Sequence, residues 1–108
     1  MIRLYNSRTK QLEDFNPIKS GKVSIYSCGP TVYGYPHIGN ARAFIFADIL
    51  KRGLLINNLD VNHVMNITDV DDKTIRDSQK EGKNLKEFTE FYTAEFLKDL
   101  DSLNVLPA

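Results

Sequence analysis

The feature that most constrains the fold of this chain is a strand pattern that passes through a glycine-rich bend into a helical pattern. Residues 22–26 are a strand-like run, and the sole cysteine, Cys28, follows them. The segment from Gly29 to Gly39 holds three glycines and two prolines, which predicts a loop. In open α/β sheets, ligands bind where a strand passes into a helix N-terminus, so we expect the binding site here. The spacing Gly-x-Gly-x-x-Gly does not occur, which excludes the dinucleotide fingerprint.

Hydrophobic periodicity and turn residues predict a leader hairpin, one strand–helix–strand unit and two further helices. In chain order, the predicted elements are a hairpin over 1–20 with apolar pieces at 2–5 and 11–15, a strand over 22–28, a helix over 41–55, a strand over 61–67, a helix that begins in the 68–73 segment and runs to about Lys80, and a helix over 85–103. The fold class is therefore α/β. We expect the first part of a Rossmann-like nucleotide-binding domain, with an incomplete parallel sheet, because two strands are too few for a doubly wound fold. In this division, residues 1–20 are the leader and residues 21–108 carry the βαβ unit and its helices.

The same patterns predict how these elements end and pack. Asn40 is a candidate N-cap for the helix over 41–55, and Asn57-Asn58 ends that helix. Apolar residues surround most of its circumference, which predicts burial on two sides. The apolar run over 61–67 is typical of a parallel strand covered on both faces. The last helix carries an aromatic stripe that we expect in the core: Phe88, Phe91, Tyr92 and Phe96.

Composition gives few indications of function. The chain has 14 Lys plus Arg and 14 Asp plus Glu, so its formal net charge is zero. It therefore lacks the excess of basic residues that is typical of nucleic-acid binding. A single cysteine excludes an internal disulfide and favours a reducing compartment. No apolar run approaches the roughly 18 residues needed to span a membrane, and the N-terminus lacks a signal-peptide core. We expect a cytoplasmic protein without a membrane partner.

Three motifs, in one order, carry a resemblance to a known family. They are Cys-Gly-Pro-Thr-Val-Tyr at 28–33, His-Ile-Gly-Asn-Ala-Arg at 37–42 and Asn-Ile-Thr-Asp-Val-Asp-Asp-Lys at 66–73. The chain resembles the N-terminal part of the catalytic domain of cysteinyl-tRNA synthetases, class I enzymes of the HIGH-motif type. The resemblance implies a cysteine–tRNA ligase that uses ATP with magnesium to form cysteinyl-adenylate and transfers cysteine to tRNA(Cys). It also implies one zinc ion and a monomeric complete enzyme, of which this chain would be a piece that is inactive alone.

Cys28 has two interpretations. From the sequence alone it is a small buried hydrophobe at a strand end or a thiolate ligand of zinc, and neither His37 nor His63 forms a ligand spacing with it. The resemblance implies that Cys28 is one of four ligands of a zinc ion that binds the substrate thiol. The other three ligands would lie beyond residue 108.

The loop and helix start also have two interpretations. On their own, His37 and Asn40 are a loop histidine and a helix cap. The resemblance implies that His37 and Asn40 are catalytic and that Thr31, His37, Gly39 and Asn40 bind ATP. In that interpretation Gly39 permits close approach of the adenylate. His37 donates to phosphate oxygens, and Asn40 is a neutral donor where many relatives carry a second histidine.

The third motif contains Thr68 and the acids Asp69, Asp71 and Asp72. Thr68 or Asp69 is predicted to cap the next helix, and this interpretation is favoured over a magnesium site for the three carboxylates. The resemblance assigns Thr68, together with Gly29, to the cysteine pocket. Arg42 is either a phosphate contact or a solvated helix residue.

Two rival functions stay open at this point. One is a ligase that joins cysteine to an amino sugar, as in mycothiol synthesis, through the same adenylate. The other is a noncatalytic synthetase-like binding module, since the sequence contains no Lys-Met-Ser-Lys-Ser loop and only one of four zinc ligands.

Overall fold

The computed structural model describes all 108 residues and contains two small sheets and three helices. The elements are β1 (Arg3–Asn6), β2 (Gln11–Asp14), β3 (Lys22–Ser27), α1 (Ile38–Ile56), β4 (Asp60–Met65), α2 (Asp72–Lys80) and α3 (Leu85–Ser102). The α/β class predicted from the sequence is confirmed. None of the helices combines the length and the apolar character that crossing a bilayer requires.

β1 and β2 form an antiparallel hairpin that pairs only with itself. Arg3 lies opposite Asp14 in the register, and their side chains form an ion pair of 3.3 Å. Lys10 adopts a φ of 57° at the turn, and its N–H donates to the carbonyl of Asn6. The hairpin predicted for the N-terminus is therefore present.

β3 and β4 form a parallel pair connected by α1, as the sequence predicts. Their register runs from Lys22 opposite Asp60 to Ser27 opposite Met65. Beyond the strands, an isolated parallel bridge between Thr31 and Thr68 continues the pairing. The carboxyl ends of β3 and β4 therefore lie side by side, and the loop after β3 begins there.

Both predicted helix starts need correction. α1 begins at Ile38, and its N-cap is His37, so Asn40 is the third residue of the helix and not its cap. α2 begins at Asp72, and its N-cap is Asp71, not Thr68 or Asp69. At α1 the helix starts earlier than predicted, because His37 accepts the N–H of Gly39 and Asn40 in turn accepts the N–H of His37. At α2 the helix starts later, because Asp71 accepts the N–H groups of Lys73 and Thr74.

α1 is buried on one side, not on the two sides predicted. Phe44 and Leu54 are buried, whereas Phe46, Ile49 and Ile56 are 71%, 64% and 80% exposed. β4 shows the same asymmetry, because Val64 is half exposed. Only one face of the parallel pair is covered, since α1 packs on β4 while α2 packs against α3.

The core lies between α1, α3 and the loop that follows β3. Phe44 of α1 and Phe96 of α3 meet edge to face with ring centroids 4.9 Å apart. Phe88 and Phe96 are almost fully buried, which confirms the core prediction for two of the four aromatic residues. The other two, Phe91 and Tyr92, contact the ring of Tyr35 and hold the loop against α3.

The segment after α3 is attached to α1 through a buried carboxylate. Asp48 accepts the N–H of Leu106 at 2.8 Å and the Nε–H of Arg52 at 2.7 Å. Burial raises the pKa of Asp48, but these two hydrogen bonds and the charges of Arg52 and Lys51 outweigh it and leave the pKa below its ordinary value. Lys51 also donates to the carbonyl of Pro107 at 2.6 Å.

Candidate functional site

A cleft of about 380 Å³ lies at the carboxyl ends of β3 and β4, between the loop after β3 and the N-terminus of α1. Its lining includes five of the seven residues predicted for the site, namely Cys28, Gly29, Thr31, Gly39 and Asn40. His37 lines an adjoining hollow next to Phe44 and Phe96, two residues that line both spaces. Thr68 lies behind the cleft wall and is connected to it by hydrogen bonds. The fold therefore brings the two halves of the predicted site together.

Cys28 presents an exposed, free thiol at the end of β3. The interpretation of Cys28 as a buried hydrophobe is wrong, because the side chain faces solvent at the cleft. Its Sγ makes one weak contact, to the carbonyl of Gly29 at 3.6 Å. No group of three or more His, Cys, Asp or Glu side chains in this chain could hold a metal ion. An exposed thiol suits one ligand of a zinc site, and within the 108 residues it is not part of a group of three ligands.

The two predicted cysteine-pocket residues are joined by one amide. The N–H of Gly29 donates to Oδ1 of Asn66 at 2.8 Å, and Nδ2 of Asn66 donates to Oγ1 of Thr68 at 3.2 Å. The backbone reinforces this connection, because Thr68 receives the N–H of Val32 and donates its own to Pro30. The pocket wall is thus a hydrogen-bonded seam across the ends of both strands.

Glycine is the only residue that fits at position 29. A Cβ there would lie 1.6 Å from the carbonyl oxygen of Asn66 and 2.8 Å from its carbonyl carbon. Sequence reasoning missed Asn66 as a site residue. The available signal was its position, since it is the first residue after β4 and opens the third motif.

His37 and Asn40 form a reciprocal capping box at the start of α1. Nδ1 of His37 accepts the N–H of Gly39 at 3.0 Å, and Oδ1 of Asn40 accepts the N–H of His37 at 3.1 Å. An accepting Nδ1 cannot carry the proton, so the neutral imidazole carries it on Nε2, where it is available for donation. The amide NH₂ of Asn40 is likewise left free to donate.

Gly39 has a structural role that the sequence did not indicate. A Cβ at this position would lie 2.8 Å from Cε1 and 3.0 Å from Nδ1 of His37. The glycine therefore provides the space in which the His37 ring turns back onto the helix. The approach of the adenylate to Gly39 stays a prediction.

The acidic residues of the third motif separate into different roles. Oδ1 of Asp71 accepts the N–H groups of Lys73 and Thr74 at 2.8 and 3.0 Å, and Oγ1 of Thr74 accepts the N–H of Asp71. Asp69 and Asp72 are exposed. Capping, which was favoured over magnesium, is thus performed by Asp71. Arg42 is exposed and forms no ion pair.

Lys73 also reaches the cleft. Its Nζ lies 5.0 Å from the centre of the Tyr33 ring, and both residues line the cleft. No role was predicted for Lys73, although it is the last residue of the third motif.

His63, the second histidine, is not part of this cleft. Its Nε2 lies 2.7 Å from Oγ of Ser27, and its Nδ1 is buried without a hydrogen-bond partner. Burial lowers the pKa of His63, and the charge of Lys51 lowers it further, while Asp48 opposes both. A neutral imidazole between the parallel pair and α1 is the result.

The parallel strand pair, the crossover helix and the cleft at the strand ends define an α/β protein of the class that binds ligands at a helix N-terminus. Residues 14–108 match the family model described as the tRNA synthetases class I (C) catalytic domain. The chain belongs to this family.

The curated relatives are similar along nearly the whole chain. The chain is 56% identical to the cysteine–tRNA ligase of Methanosarcina mazei over 105 residues, which are 97% of this chain and 22% of the relative. It is 51% identical to that of Lachnoclostridium phytofermentans over 98% of this chain and 23% of the relative. For the Pyrococcus furiosus enzyme the identity is 45%, over 100% of this chain and 23% of the relative. The chain thus spans about a fifth of the length of these relatives.

Proposed function

We propose that the protein carrying this chain is a cysteine–tRNA ligase, which activates cysteine with ATP and transfers it to tRNA(Cys). The observation that carries the proposal is one cleft lined both by an exposed thiol, Cys28, and by the amide and backbone at the start of α1, Asn40 and Gly39. The names of the similar proteins, at 45–56% identity, support the same assignment. The proposal includes a Rossmann-like catalytic domain that begins with the hairpin over 1–20 and continues through 21–108, in a monomeric cytoplasmic enzyme.

The helix end of the cleft is proposed to bind ATP with magnesium. The first N–H groups of a helix and its positive dipole end attract phosphate. Nε2–H of His37 and the NH₂ of Asn40 are the side-chain donors at this end, and Thr31 and Gly39 complete the surface. These two donors are suited to phosphate oxygens, whose negative charge increases while the cysteine carboxylate attacks the α-phosphorus and pyrophosphate leaves.

The strand end of the cleft is proposed to bind cysteine. Gly29 lines this end, and Thr68 lies behind it, joined to Gly29 through Asn66. Cys28 would hold a zinc ion together with ligands from outside these 108 residues. When bound, the zinc would favour a thiolate over a hydroxyl, which would distinguish cysteine from serine. The hydrogen bonds of Asn66 fix the position of Gly29 relative to Thr68.

The acceptor distinguishes the proposed function from its closest rival. Purified protein that carries this chain is incubated with ATP, radiolabelled cysteine and either tRNA or an amino sugar. We expect acid-precipitable label on tRNA and no conjugate with the sugar. Label on the sugar alone would identify the amino-sugar ligase, and label on neither would favour the noncatalytic binding module.

The zinc assignment needs its own test. In the same protein, Cys28→Ser is expected to lower the bound zinc measured by atomic absorption and to lower cysteine activation in parallel. Tyr26→Ser, in the preceding strand at an exposed position, is the matched control and is expected to keep zinc. Full zinc occupancy in Cys28→Ser would refute the assignment.

A further inference from the structure

Lys73 is a cation in the cleft that no carboxylate of the chain neutralises. The structure forms five ion pairs, and none of them includes Lys73. Asp71, two residues earlier, instead accepts backbone N–H groups as the cap of α2. The ammonium lies 5.0 Å from the centre of the Tyr33 ring, a position that a cation–π attraction stabilises. An uncompensated positive charge therefore lines the same cleft as Cys28 and Asn40.

The position of Lys73 in α2 is electrostatically unfavourable for the helix. The residue is the second of the helix, next to its positive dipole end, where a lysine is disfavoured. Lys80, in the last turn of the same helix, lies at the end where a lysine is favoured. Within the chain, the Tyr33 ring is the only group that favours a cation at this position, and no carboxylate pairs with it. An anion bound in the cleft would supply the missing partner.

We propose that Lys73 binds an oxyanion of the substrates in the cleft and offsets the repulsion between the cysteine carboxylate and the α-phosphate of ATP as they react. This inference rests on the proposed function. In the reaction, a carboxylate oxygen forms a bond to the α-phosphorus while the bond to the bridging oxygen breaks, and pyrophosphate leaves with the electron pair. A fixed cation lowers the cost of bringing the two anions together.

The test compares Lys73→Met and Lys73→Arg with Lys80→Met in the protein that carries this chain. In cysteine-dependent ATP–pyrophosphate exchange, Lys73→Met is expected to lower kcat/KM by about tenfold or more, the loss expected for a hydrogen bond to a charged group. Lys73→Arg should recover most of the lost kcat/KM. The kcat/KM of Lys80→Met should stay within about twofold of the value for the original protein. If only the KM for cysteine rises in Lys73→Met, Lys73 contacts the cysteine carboxylate. If only the KM for ATP rises, Lys73 contacts a phosphate of ATP. A fall in kcat means that Lys73 acts on the two anions as they react. Unchanged kinetics in Lys73→Met would overturn the inference.

Thermal unfolding separates this role from a structural one. Lys73→Met removes an unfavourable interaction between a cation and the positive end of the helix dipole, so we expect it to keep or raise the Tm. Lys80→Met removes a favourable interaction at the other end, so we expect it to lower the Tm slightly. A Tm that falls with activity in Lys73→Met would overturn the inference in favour of a structural role.

Direct binding distinguishes failure of this inference from failure of the proposed function. Calorimetric titration with ATP, and separately with cysteine, is carried out on the original protein and on Lys73→Met. A weaker affinity for either ligand in Lys73→Met supports the oxyanion contact, whether or not exchange is detected. The absence of exchange in the original protein would contradict only the proposed function. Equal affinities together with equal exchange kinetics would overturn the role of Lys73 and leave the proposed function intact.

Discussion

The backbone N–H of Gly29 donates a hydrogen bond of 2.8 Å to the side chain of Asn66, and this bond joins the carboxyl ends of β3 and β4. The other half of the same amide donates to Thr68. One side chain that follows β4 thus positions both residues proposed for the cysteine pocket. The relationship depends on the absence of a side chain at position 29, where a Cβ would overlap the carbonyl of Asn66.

Gly29→Ala is expected to destabilise the protein by about 3 kcal/mol, because the methyl group forces the two strand ends apart. Urea unfolding monitored by circular dichroism measures the change. The matched control is Gly53→Ala in α1, where nothing lies within 4 Å of the added Cβ. That substitution should stabilise by about 0.5–1 kcal/mol through helix propensity. Equal effects of the two substitutions would contradict the close approach at Gly29.

Asn66 is expected to affect both stability and cysteine binding. Asn66→Ala removes the acceptor for Gly29 and the donor to Thr68, which should cost about 2 kcal/mol. Asn66→Asp keeps the acceptor and loses only the donor, so its loss should be smaller. The KM for cysteine should rise in both variants while the KM for ATP changes little. A KM for ATP that rises as much as the KM for cysteine would contradict the separation of the cleft into two ends.

His37 has a capping role and a proposed catalytic role that two substitutions can separate. His37→Ala should lose about 1 kcal/mol of stability together with activity, because Nδ1 no longer accepts the N–H of Gly39. His37→Asn should keep the cap, since asparagine is a favoured N-cap, but lose the imidazole Nε2–H. We therefore expect native stability and pyrophosphate exchange slower by about 100-fold. Exchange at the original rate in His37→Asn would remove the catalytic role.

Stability is expected to fall with acid in two separate pH ranges. Burial depresses the folded-state pKa of His63, so the unfolded chain binds the proton first and the free energy of unfolding falls as the pH drops below the ordinary 6.5. For Asp48 the folded-state pKa is also depressed, and its contribution is present above the ordinary 3.8 and lost as the pH falls through the folded value.

Two substitutions assign these ranges. The chain has two histidines, so a His37→Asn background leaves His63 as the only one. In that background, His63→Gln should flatten the slope of unfolding free energy against pH between neutral and mildly acidic pH. Asp48→Asn should flatten the slope only at the acidic end. If the free energy of unfolding still falls between neutral and mildly acidic pH in the variant that lacks both histidines, the role of the buried imidazole is contradicted.

The sequence predicted the parts of the fold that depend on local patterns. The parallel pair, the crossover helix and the end of α2 at Lys80 follow from hydrophobic periods and from residues that favour turns. Gly82, just after α2, has a φ of 64°. The starts of α1 and α2 could not be predicted to the residue. Several polar side chains precede each helix, and which of them accepts the first N–H groups depends on the path of the loop.

Within these 108 residues, the two-sided burial predicted for α1 and β4 is not present, for a reason outside local sequence. The apolar circumference of α1 and the apolar run of β4 indicated two covered faces, yet Phe46 and Val64 are exposed. Whether an apolar face is covered depends on which other elements pack against it, and α2 and α3 pack on each other. The motifs predicted most of the residues that line the cleft. The hydrogen bonds of Asn66 to Gly29 and Thr68 could not be predicted, because they depend on how the ends of β3 and β4 lie side by side.

ATP–pyrophosphate exchange by the protein that carries this chain, with cysteine or serine as the amino acid, directly tests whether this cleft brings cysteine and ATP together. We predict exchange that requires cysteine, is at or near background with serine, falls by about 100-fold in His37→Asn and persists in Lys80→Met. Exchange that does not depend on cysteine, or that serine supports equally well, would contradict the claim that this cleft brings cysteine and ATP together.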